Sequence, residues 1–130
     1  MRLLLDTSVL IDHLRGEKRA SDLLLQASRS GSELWSVTVV RTEILAGMRP
    51  REEALTRLLL DQINWQEVTI DIADLAGALA RRYLRSHTGV DTVDYLIAAA
   101  AQFLGADLKT LNVKHFPMFP RLKAAYRSGR

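Results

Sequence analysis

The chain contains no cysteine. A disulfide framework, a zinc–thiolate centre and a thiol nucleophile are therefore excluded. A cysteine-free chain is compatible with a reducing compartment, and a cytoplasmic location is expected. Long hydrophobic runs are missing too. Three leucines stand between Arg2 and Asp6, too few for the apolar region of a signal peptide. The most apolar later stretch, Tyr95 to Ala106, contains Gln102 and falls far short of a membrane span. No repeat, low-complexity tract or linker breaks the chain. Its 130 residues suit one ordinary domain over residues 1–130. With 48% hydrophobic and 25% charged residues, the composition is that of a globular protein without a disorder signature.

Positive charge is in modest excess, at +3, and it gathers late. From Asp107 onward, Lys109, Lys114, Arg121, Lys123, Arg127 and Arg130 face a single acid. A basic surface favours polyanions such as nucleic acid, although a solvated chain end has the same composition.

Apolar periodicity predicts an alternation of strands and helices. Strands are expected at Arg2–Leu5, Glu33–Val37, Trp65–Ile70 and Asp107–Leu111, and the basic tail is expected to add a fifth strand or a short helix. Helices are expected over Thr7–Arg15, Ala20–Ser30, from an N-cap at Thr38 to near Gly47, from Pro50 to about Ile63, from Asp71 to near His87 and from about Thr92 to Leu104, with Gly105 closing the last. Such alternation in one short chain implies a parallel sheet covered on both faces. Ligands of these sheets bind at the carboxyl ends of the strands, where Asp6 falls.

Acids recur at costly positions. Asp6 ends an apolar strand. Glu43 has apolar or small neighbours at helical spacing, an awkward setting for an unpaired carboxylate unless that face is solvated. In "GVDTVDYLIAAAA", Asp91 and Asp94 have the spacing of a capping box, and a helix N-terminus can equally aim a carboxylate into a cleft. In "KTLNVKHF", Thr110 and Asn112 follow a strand, either as an ordinary polar turn or facing the same cleft as Asp6. Carboxylates gathered at one sheet edge repel unless they share a cation. Hard oxygen ligands suit Mg²⁺ or Mn²⁺, ions that support phosphodiester hydrolysis.

"LLLDTSVLIDHL", "SVTVVRTEILAG", "VDYLIAAAA" and "TLNVKHF" occur in the order and spacing of PIN-domain ribonucleases, from Met1 to about Phe119. The chain most resembles the VapC-type toxins of toxin–antitoxin modules. The resemblance implies a three-layer α/β/α sandwich with a four- to five-stranded parallel sheet. It implies a Mg²⁺-dependent endoribonuclease, with Mn²⁺ as the alternative ion, in which Asp6, Glu43 and Asp94 hold the metal and a bound water attacks phosphorus in line. Thr7 and Thr110 match hydroxyl positions beside the metal and its water. Asn112 occupies a place where many members carry a fourth acid, and its neutral amide supplies no charge to a second metal. Asp91 lies outside the motif and reads as a cap or as support for the site. The implied partners are an RNA substrate, a cognate VapB-like antitoxin and a second copy of the chain.

Rival readings remain at this level. An aspartyl-phosphate phosphatase also places an Asp after its first strand but wants a second Asp two residues on, where this chain has Ser8. A housekeeping RNA-processing nuclease and a non-catalytic nucleic-acid-binding module of the same fold are the others.

Overall fold

In the computed structural model, which describes residues 1–127, four strands form one wholly parallel sheet. They are β1 (Arg2–Leu5), β2 (Glu33–Val37), β3 (Asn64–Gln66) and β4 (Asp107–Lys109), in the order β3-β2-β1-β4. Six α-helices connect and cover them: α1 (Thr7–Leu14), α2 (Lys18–Arg29), α3 (Thr38–Ala46), α4 (Glu53–Asp61), α5 (Ile70–Tyr83) and α6 (Thr92–Leu104). This is the expected α/β architecture.

Leu3, Leu4 and Leu5 are consecutive and all buried, so both faces of β1 are covered. Leu4, Leu5, Val37, Leu108 and the helical residues Leu10, Val40, Ile72 and Ile97 belong to one apolar core. On α6, the run Ala98–Ala101 is fully buried, and its small side chains let the helix pack closely on its neighbours. Gly105 closes α6 with φ +62°, a left-handed conformation that glycine adopts without a Cβ penalty.

Several boundaries differ from those expected. The third strand is Asn64–Gln66, because Thr69 caps a helix that already begins at Ile70. Its side chain accepts from the Ile72 N–H at 3.2 Å, so local capping overrides the β-branched run. Helix α5 stops at Tyr83, and the strand β4 ends at Lys109. Pro50–Glu52 forms a separate 3-10 turn before α4. Val37, not Thr38, is the N-cap of α3. The tail adds neither a fifth strand nor a helix among the described residues; a 3-10 turn at Val113–His115 and irregular chain take its place. The Ala125 N–H donates to the Thr110 carbonyl at 2.9 Å and ties that tail to the end of β4. Arg130 lies outside the described residues.

Because the strands are parallel, their carboxyl ends share one edge. Leu5 pairs with Lys109, and the Asp6 N–H donates to the Lys109 carbonyl at 3.0 Å. Asp6 and Thr110, far apart in sequence, therefore emerge side by side.

Candidate active site

Asp6 occupies the N-cap position of α1, yet its side chain makes no capping bond. It is 4% exposed, and its Oδ2 accepts from Thr110 Oγ1 at 2.6 Å and Ser8 Oγ at 2.9 Å. Both hydroxyls are themselves held. Thr110 Oγ1 accepts from the Asn112 N–H at 2.9 Å, and Ser8 Oγ accepts from the Leu111 N–H at 3.1 Å. The loop after β4 is thus stitched to the β1–α1 junction, with the Asp6 carboxylate as the knot.

Asp94 sits at the start of α6 in a reciprocal capping box with Asp91. The Asp94 N–H donates to Asp91 Oδ1 and the Asp91 N–H to Asp94 Oδ2, both at 3.1 Å. His115 Nδ1 lies 3.4 Å from the same Oδ2. Burial pushes the Asp94 carboxyl up to about 6; its hydrogen bond from the Asp91 backbone opposes the rise and the Asp91 charge reinforces it. Glu43, on α3, is exposed, and its Oε1 accepts from Thr7 Oγ1 at 2.6 Å.

These groups line one cavity of about 440 Å³, whose walls include Asp6, Thr7, Glu43, Asp91, Asp94 and Asn112. Thr110 is fully buried behind the wall and reaches the cavity through Asp6. Five of the six residues singled out from sequence therefore face the same space, and the sixth supports one of them. Ser8, Asp12, Arg15 and His115 also line it and were not foreseen. A signal existed for the first three: Ser8, Asp12 and Arg15 lie four and seven residues apart along α1 and its cap, the spacing of one helical face. Asp12 is buried and accepts from the Tyr126 hydroxyl at 2.7 Å.

Asp6, Glu43 and Asp94 share a pattern. In each, one oxygen is engaged by donors of the chain, and no described residue donates to the other. That leaves hard, anionic oxygens at the cavity, the donor type that Mg²⁺ and Mn²⁺ take. As placed, no three His, Asp or Glu side chains among the described residues converge closely enough to hold an ion. Like charges without a cation between them repel. The residues fit a hard divalent cation in chemistry, and binding one would draw the acids closer together.

No helix among the described residues is long and apolar enough to cross a membrane. The family model for the PIN domain matches residues 3–116. Among curated proteins, Ribonuclease VapC19 of Mycobacterium tuberculosis is 50% identical over 123 residues, covering 95% of this chain and 98% of that one. Ribonuclease VapC10 of the same organism is 44% identical over 125 residues, covering 95% and 92%. Among solved structures, a toxin–antitoxin complex from Klebsiella pneumoniae matches with a TM-score of 0.77 at 27% identity, covering 97% of this chain and 99% of that one. VapBC2 from Rickettsia felis, bound to a promoter DNA fragment, has the same fold with a TM-score of 0.79 at 18% identity over 95% and 97%. With its parallel sheet, the acids at its edge and these likenesses, the chain belongs to the PIN-domain family, among the VapC ribonucleases.

Proposed function

We propose that this protein is a divalent-cation-dependent endoribonuclease, the toxin of a VapBC-like module, with Mg²⁺ as its working ion. The observation that carries the reading is the shared pattern of Asp6, Glu43 and Asp94: three carboxylates on one cavity, each anchored through one oxygen and open at the other. Kinship with proteins named as ribonucleases supports RNA as the substrate. Likeness to a solved toxin–antitoxin complex supports an antitoxin as the partner that holds the activity in check. A homodimer is part of the same proposal.

Bound at these oxygens, a divalent cation would neutralise charge on the scissile phosphate and favour in-line attack by water. The chain's own groups do the positioning. Thr110 and Ser8 fix the Asp6 carboxylate, Asp91 fixes that of Asp94, and Thr7 holds Glu43. Asn112 presents a neutral amide at the rim, able to orient water or a ribose hydroxyl but not to act as a base.

The test is cleavage of total cellular RNA by the purified protein with Mg²⁺, with EDTA, and by Asp6→Asn with Mg²⁺. Cleavage in the first case alone is expected, along with growth arrest on expression of the wild type. Cleavage that persists in EDTA, or that Asp6→Asn retains, would overturn the reading.

A further inference from the structure

The cavity is overwhelmingly acidic, whereas its proposed substrate is a polyanion. Asp6, Asp12, Glu43, Asp91 and Asp94 line it, and Arg15 is the one Lys or Arg among the described residues that does. Arg15 is the C-cap residue of α1, with its N–H bonded to the Ile11 carbonyl at 2.9 Å, so its backbone is fixed while its side chain is exposed. Its Nε lies 3.7 Å from Glu52 Oε2, beyond hydrogen-bond range and half open to solvent, a contact that is readily given up. Glu52 is the stationary partner. Its side chain is 16% exposed, and its Oε1 accepts from the Arg49 N–H at 2.9 Å in the turn before α4.

We propose that Arg15 is a substrate-binding residue, a guanidinium that takes a phosphate of single-stranded RNA beside the one held at the acids, and that Glu52 keeps it at the cavity rim until RNA arrives. This deepens the ribonuclease reading and rests on it. A guanidinium fork matches two phosphate oxygens, and a phosphate carries a fuller claim on it than a carboxylate at 3.7 Å. Because α1 begins at the Asp6 cap and ends at Arg15, one rigid helix sets the spacing between the acids and the phosphate contact.

Fluorescence anisotropy with a short labelled single-stranded RNA of mixed sequence, in Ca²⁺ over a range of salt, reads this contact without cleavage. Arg15→Gln should weaken binding about tenfold and reduce the slope of log affinity against log salt by about 0.7, the share of one phosphate on a single strand. Arg15→Lys should keep the slope. Glu52→Gln should bind RNA no more weakly than the wild type, whereas a merely structural Arg15–Glu52 pair predicts that it mimics Arg15→Gln. In Mg²⁺, Arg15→Gln should raise KM with kcat within about twofold, the mark of uniform binding. An unchanged salt slope in Arg15→Gln, or Glu52→Gln that reproduces its defect, would overturn the assignment. Failure of the wild type to cleave RNA would instead sink the ribonuclease reading, and the anisotropy result would still decide whether Arg15 meets phosphate.

Discussion

Two aspartates at helix starts, Asp6 and Asp94, are held in opposite ways. Asp94 is fixed locally, by a capping box that closes within three residues. Asp6 stands at an N-cap and declines the cap; its carboxylate is fixed by Ser8 nearby and by Thr110, 104 residues away. One site is thus assembled from a short-range motif and a long-range one. The local motif forms wherever its helix forms, whereas the long-range one exists only once β1 and β4 have paired.

Cleavage is the harshest test of whether the two aspartates are equals. Asp6→Asn and Asp94→Asn should each abolish RNA cleavage and toxicity while the chain still folds, as read by circular dichroism. Full activity in either would remove it from the site.

Their supports should then separate. Thr110→Val removes a buried donor to Asp6 and strands the Asn112 N–H, costing about 1–3 kcal/mol in a denaturant titration and lowering cleavage. Asp91→Ala removes the cap, and with it a negative charge on the cavity wall, and should cost about 1 kcal/mol, with Asp91→Ser recovering most of it and most of the activity. An Asp91→Ser protein that folds and binds RNA but cannot cleave it would make Asp91 part of the site rather than its support.

Titration sharpens the comparison from another side. Burial raises the Asp94 carboxyl to about 6, so the metal-free folded state keeps its proton longer than the unfolded chain does. Stability contributed by the protonated group is present at about pH 4 and is lost as pH rises through about 6. In a chelator, Asp94→Asn should therefore melt above the wild type at pH 7, with the gap closing towards pH 4. Added Mg²⁺ should raise the wild-type Tm and leave the variant's nearly unmoved. A gap independent of pH would show that Asp94 is ionised at no cost in the fold.

The smallest effect is expected at the rim. Asn112→Asp adds a negative charge to the cavity and should tighten Mg²⁺ binding by calorimetry a few-fold, in keeping with an exposed position. No change in affinity would put Asn112 outside the reach of the cation.

Much of this molecule is written locally. Alternating apolar runs define the strands and helices, because burying an apolar face is what makes each element stable in its place. Asp91 and Asp94 announce their capping box, since a cap is a bond between residues three apart. Glu43 and the "TLNVKHF" element could be picked out by motif order. At Thr69 cap and strand compete among near neighbours, the cap wins, and β3 is shorter than its β-branched run implies. What sequence alone left open is how the acids are held. The hydroxyl of Thr110 reaches Asp6 through the parallel pairing of β1 with β4, a contact with no trace in either segment alone. Arg15 joins the cavity because α1 runs along its wall, and His115 because the turn after β4 swings it beside Asp94. Helical spacing puts Arg15 on one face with Ser8 and Asp12, but which face meets the cavity, and that Thr110 and His115 arrive there, depends on distances across the fold that only packed elements can set.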